Sequence, residues 1–114
     1  MRNKGLRGLY HSVQLFRDLD PELQSQTIVC FLLIAAAPTD IPMRDLQDTL
    51  DMPSSSTSRN VAALSKHHRL GRPGLDLVET YEDPEDRRFK RVRLTARGRA
   101  LRSRINLLVG ETED

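Results

Sequence analysis

The stretch Asp83-Pro84-Glu85-Asp86-Arg87-Arg88-Phe89-Lys90-Arg91-Val92-Arg93-Leu94-Thr95 constrains this chain more than any other segment. An acidic, proline-containing turn gives way to strict alternation. Val92 and Leu94 fall on one side of an extended segment, and Arg91 and Arg93 on the other. That period fits a strand and excludes an amphipathic helix. Leu75 to Glu82 supplies a first strand and Phe89 to Thr95 the return strand of a hairpin. Residues 76–86 hold six acids and no base, and residues 87–104 hold nine Lys/Arg and no acid. Cations concentrated in this way suit a polyanion. Asp86, Arg87 and Arg88 sit at the tip, where a carboxylate one or two residues from an arginine can hold the guanidinium extended. An extended arginine fits a narrow, electronegative minor groove. The bland alternative is a charged edge that only discourages aggregation, but nine cations without an intervening acid favour a ligand.

The rest of the chain reads as helix. Leu6, Leu9, Tyr10, Val13 and Phe16 form one stripe of a helix within residues 1–17. Asp20-Pro21-Glu22 reads as the start of the next, with Asp20 as cap and Pro21 in the first turn. This second helix runs to about Ala37 and is apolar nearly all round, which predicts a central, buried element. Ile41 suits a stub of strand. Met43 to Leu50 is a short helix with Met43, Leu46 and Leu50 inward, and Asp51-Met52-Pro53-Ser54 is a turn. A further helix starts at Pro53 or Ser54 and ends near His67, followed by a loop from Arg69 to Gly74. Thr95 caps a last helix from Ala96 to about Val109, with Leu101, Ile105 and Leu108 on one side, and residues 111–114 fray. The expected order is α-α-α-α-β-β-α, a mainly helical winged helix-turn-helix in a single domain, 1–114.

On the helix from Ser54, Thr57, Val61 and Leu64 define the core side. The opposite face presents Ser55, Arg59, Ala62 and Lys66, flanked by Ser56, Ser58 and Ala63, at about 100° per residue. Small residues let a helix sit deep in a major groove, where hydroxyls and Arg59 reach base edges and phosphates. Ser54 to Ser56 lie where free N–H groups favour a phosphate. With Asp86, Arg87, Arg88, Lys90 and Arg91 of the hairpin, these residues make up the candidate DNA-binding surface. An ordinary solvated helix face is the competing reading for the serines.

The run Asp45-Leu46 to Leu64, the stretch Asp83-Pro84-Glu85-Asp86-Arg87-Arg88 and the sequence Val92-Arg93-Leu94-Thr95-Ala96-Arg97-Gly98 together resemble the MarR family of winged-helix transcriptional regulators, over roughly residues 20–105. The resemblance implies a homodimer on a pseudo-palindromic double-stranded DNA site, with recognition helices in successive major grooves and wings in flanking minor grooves. It implies that Ser54, Ser55, Ser56, Ser58 and Arg59 face the major groove. It also implies that Arg88, oriented by Asp86, is the wing arginine, and that a small aromatic acid or cysteine oxidation can release the DNA. The chain departs from the pattern in its short C-terminal helix, in the long loop from Arg69 to Gly74, and in Asn60 at a position that is commonly apolar. Residues 1–17 and 96–110 are the candidate dimerisation elements, although the stripe of the first helix could equally cover its own core.

Other functions find little support. The single Cys30 excludes an internal disulfide, fits a reducing cytoplasm, and sits among apolar neighbours where thiols are usually inert. His67 and His68 point about 100° apart on a helix and cannot chelate one metal together. His11 reads as a surface residue. There is no glycine-rich phosphate loop, cofactor motif or nucleophile–base pair, so neither an enzyme nor a cofactor is expected. The longest apolar run, Ile28 to Ala37, is too short to span a bilayer, and no signal peptide is evident. Few aromatic residues argue against stacking single-stranded nucleic acid. The rival class is a winged-helix adaptor that uses the same face on polymerase or another DNA-bound protein.

Overall fold

In a computed structural model, which describes residues 2–66 and 71–110, five helices surround a small sheet. They run α1 (Lys4–Leu19), α2 (Ser25–Ala36), β1 (Ile41–Pro42), α3 (Met43–Leu50), α4 (Ser54–Leu64), β2 (Val78–Glu82), β3 (Lys90–Leu94) and α5 (Ala96–Val109). The sheet is antiparallel in the order β1-β3-β2. The expected winged helix-turn-helix is therefore present, and the stub at Ile41 pairs with Val92. The helix expected to run to about His67 ends earlier, at Leu64 with its cap at Ser65, whereas the pair His67-His68 and the fraying of residues 111–114 lie outside the described residues.

The core gathers Phe16, Phe31, Leu46, Leu64, Leu77, Val78 and Val92, all essentially sealed from solvent. Burying one such aliphatic or aromatic side chain contributes about 1.5–3 kcal/mol. Cys30 lies among them, and burial pushes its thiol up to about 12. It is therefore a neutral packing group at physiological pH, not a poised thiolate. The Phe16 and Phe31 rings meet edge to face at 5.6 Å, which ties α1 to α2.

Three local expectations fail, each for a visible reason. Asp20-Pro21-Glu22 is a turn and not a helix start. Asp20 ends α1, its N–H donating to the Phe16 carbonyl, and its carboxylate accepts the Glu22 N–H at 2.9 Å. The second helix begins only at Ser25. It is also not buried all round, because Val29 and Leu32 stay substantially exposed. The first wing strand starts at Val78 and not at Leu75. The amides of Gly74, Leu75, Asp76 and Leu77 are committed to the carbonyls of Lys66, Ala63, Ser65 and Leu64. This segment closes the C-terminal end of α4, which leaves it no ladder to join.

The α1 stripe resolves one alternative left open by the sequence. Only Phe16 turns into the core, while Leu6, Leu9, Tyr10 and Val13 face out. The inward side of α1 carries Gly8 and Ser12. Gly8 lies against α5 so closely that a Cβ there would come within 2.3 Å of the Leu108 carbonyl oxygen. The two terminal helices thus pack through a small-residue contact and leave apolar side chains uncovered.

Candidate nucleic-acid interface

The turn between α3 and α4 sets the recognition helix. Asp51 adopts left-handed geometry, its N–H closing on the end of α3, and Pro53 leads into Ser54. Thr57, Val61 and Leu64 are buried as expected, which fixes the rotation of α4. Ser54, Ser55, Ser58 and Arg59 are exposed, and Ser56 is half-buried. Arg59 reaches back to Ser56, its Nη2 donating to Oγ at 3.3 Å. Lys66 is a correction. The helix is capped at Ser65, so Lys66 lies beyond it and is not part of its face. Lys66 instead lines, with Ser58, Ala62, Ser65 and Lys90, a cleft of about 450 Å³ between α4 and the wing.

Asn60 had no assigned role. It is buried on the inner side of α4, where it accepts the Thr27 hydroxyl at 2.9 Å and donates to the Met52 sulfur at 3.7 Å. A buried polar group must be paired, and this pair locks α4 to α2 with a directional bond where an apolar contact could slide.

The wing tip is built from aspartate turns. Asp83 accepts the Glu85 N–H at 2.9 Å and Asp86 accepts the Arg88 N–H at 3.2 Å, while Asp83 and Phe89 close the loop through their backbones. Arg88 Nε and Nη2 then donate to the two carboxylate oxygens of Asp86 at 3.0 and 2.8 Å. The side chain remains 82% exposed. The bidentate contact lowers the Asp86 carboxyl below its ordinary range and raises the guanidinium. The Asp86–Arg88 contact inferred from a two-residue spacing is present, and it holds an exposed guanidinium from one side. Arg87 and Lys90 are exposed beside it.

Phe89 lies between Arg88, 5.6 Å from its ring centre, and Arg44 of α3 at 4.6 Å. Arg44 had not been expected here. Its only sequence signal was being the single base in a long acidic segment.

Arg91 is the second correction. Its Nη2 donates to the Asp40 carbonyl, and its Nη1 lies 3.7 Å from Asp83. It is a structural strut and not a free cation of the wing. Arg93 is likewise engaged, its Nε on Glu79 at 2.9 Å and its guanidinium over the Tyr81 ring. Two cations of the run are therefore engaged in space, Arg91 by the Asp40 carbonyl and the Asp83 carboxylate and Arg93 by Glu79 on the facing strand.

The last helix opens as expected. Thr95 Oγ1 accepts the Gly98 N–H at 3.1 Å and donates to the Asp76 carbonyl at 2.7 Å. A Cβ on Gly98 would lie 2.0 Å from the Leu77 carbonyl oxygen. The Leu-Thr-x-x-Gly pattern thus has a packing reason, since it brings α5 directly onto the root of the wing.

A winged helix DNA-binding domain family model matches residues 39–98. No curated protein is matched by sequence. Among solved structures, RV1404 from Mycobacterium tuberculosis is 19% identical with a TM-score of 0.68, over 90% of this chain and 64% of that one. The chain therefore spans less than two thirds of that relative. The S. aureus MepR–DNA complex is 15% identical with a TM-score of 0.68, over 90% and 73% of the two chains. MarR is 21% identical with a TM-score of 0.61, over 95% and 75%. The structural neighbours include MarR itself and a MarR family transcription regulator, and at these identities what they share with this chain is the fold.

Proposed function

Because the chain belongs to the winged-helix DNA-binding domain family, we propose that it is a sequence-specific double-stranded DNA-binding transcriptional regulator that acts as a homodimer. The observation that carries this reading is the exposed, carboxylate-held Arg88 at the end of a wing that forms one cleft with α4. Helix α4 enters the major groove, with Ser54, Ser55, Ser56, Ser58 and Arg59 toward bases and phosphates. Arg88 enters the adjacent minor groove, flanked by Arg87 and Lys90.

The dimer reading is supported by Leu6, Leu9, Tyr10 and Val13 of α1 and by Leu107 and Val109 of α5, all exposed on two helices that pack together. Apolar side chains gathered on neighbouring elements mark a partner surface. A second copy there would place two recognition helices about one helical turn, roughly 10 bp, apart.

Selection from a random-duplex pool, read alongside solution mass, tests the proposal. The expected outcome is an enriched inverted repeat bound by a dimer, with affinity falling steeply as salt rises. Weak, sequence-blind retention instead, with recovery of a protein partner, would favour the adaptor reading. Leu9→Glu is expected to yield monomers and to cost DNA affinity through lost bivalency.

A further inference from the structure

We propose that Asp40 and Tyr81 are positioning residues for DNA binding, which set the angle at which the wing presents Arg88. The inference rests on the proposed function and extends it to residues that touch no DNA.

The wing is tied to the body by little backbone on its inner edge. Strand β1 has two residues, pairing Ile41 with Val92 and Pro42 with Arg91. Proline has no N–H to give the ladder, and two residues of pairing are marginal by themselves. Asp40, immediately ahead of this stub, makes up the deficit by accepting bonds from side chains of both wing strands. Its carboxylate accepts the Tyr81 hydroxyl of β2, and its carbonyl accepts the Arg91 guanidinium of β3. Tyr81 and Arg91 are themselves directly opposite across the hairpin. Arg91 extends the chain of contacts to Asp83, whose N–H closes the turn on the Phe89 carbonyl. The Arg93 guanidinium caps the Tyr81 ring at 4.5 Å, held in turn by Glu79.

This network has one fixed end and one free end. The fixed end is Asp40, at the entry to α3, the helix that packs on α4. The free end is the turn that carries Arg88. Arg44, one residue into α3, braces the same turn through Phe89. Wing and recognition helix are thus referenced to a single short helix, and the Asp40 bonds decide where the tip lies relative to α4. Asp40 keeps the Tyr81 hydroxyl protonated, and hence a donor, to higher pH than an ordinary tyrosine.

A double-mutant cycle tests this, using a duplex that the wild-type protein has enriched from a random pool. Tyr81→Phe removes one oxygen and leaves the ring under Arg93. It is expected to weaken binding by roughly three- to tenfold. In the Tyr81→Phe background the cost of Arg88→Ala should shrink at least by a factor of about three, because a misaimed arginine has less to lose. The cost of Arg59→Ala should be the same in both backgrounds. Asp40→Ala should reproduce Tyr81→Phe, and the two together should cost little more than either. Amide exchange should quicken across residues 83–89 in these variants while α4 keeps its protection. Independent, multiplying costs of Tyr81→Phe and Arg88→Ala would overturn the inference and leave the proposed function standing. Equal shrinkage for Arg59→Ala would also overturn it, by showing a general loss of structure. An Arg88→Ala variant that binds like wild type would overturn both.

Discussion

The stem and the tip of the wing use the same residue type for opposite purposes. In the stem, Arg91 is bonded to the Asp40 backbone carbonyl ahead of α3 and lies beside the Asp83 carboxylate at the end of the facing strand, and Arg93 is bonded to Glu79 on that strand. At the tip, Arg88 is bonded to Asp86, two residues away, and remains mostly in solvent. A cation paired across strands is consumed in holding the sheet together. A cation clasped from one side is stiffened and kept available. The difference lies in where the carboxylate sits, and a count of positive charges along the sequence cannot register it.

The comparison can be broken most readily at the tip. Arg88→Ala should reduce duplex affinity more than tenfold, read by fluorescence anisotropy, while the melting temperature stays within about a degree, because the side chain is exposed and touches no core. Asp86→Asn should do less, costing about threefold, since the guanidinium remains but loses its charged clasp. Arg91→Ala should show the opposite balance. Its main effect should be a melting temperature lower by a few degrees, with a smaller loss of affinity that follows from a loosened wing.

The smallest effect should be that of pH. The Asp86 carboxyl is lowered by Arg88. Its contribution is therefore complete above the ordinary carboxylate range and is lost only as pH falls through the lowered value. Between about pH 5 and 8 the Arg88 Nε–H resonance should not move. Movement within that window would mean that the clasp is loose in solution.

Much of this arrangement was legible in the sequence, and what escaped did so for physical reasons. Thr95 as a cap and Ala96–Val109 as a helix were readable because capping is local. The Asp86–Arg88 clasp was readable because both partners lie within one turn. The Asp20-Pro21-Glu22 turn was misread because an aspartate that caps a helix and one that closes a turn present the same residues. Only the Phe16 carbonyl, engaged by the Asp20 N–H, decides between them. The true start of β2 was hidden because the amides of residues 74–77 serve carbonyls at the end of α4. The roles of Asp40, Arg91 and Asn60 were not readable at all. The bonds Asn60–Thr27, Tyr81–Asp40 and Arg91–Asp40 span 33, 41 and 51 residues, and nothing local marks which groups so far apart in sequence will meet.

The account depends most directly on how the two sets of arginines respond to salt. The measurement is the slope of log affinity against log salt for the wild-type protein, for Arg87→Ala/Arg88→Ala, and for Arg91→Ala/Arg93→Ala. The tip variant should lose about two from the slope, close to one for each phosphate-neutralising cation removed. The stem variant should lose clearly less of the slope than the tip variant, even where its affinity is lower, because it disturbs the aim of Arg88 without removing the cation. A stem variant whose slope falls as far as that of the tip variant, or a tip variant whose slope does not change, would contradict the division of labour argued here.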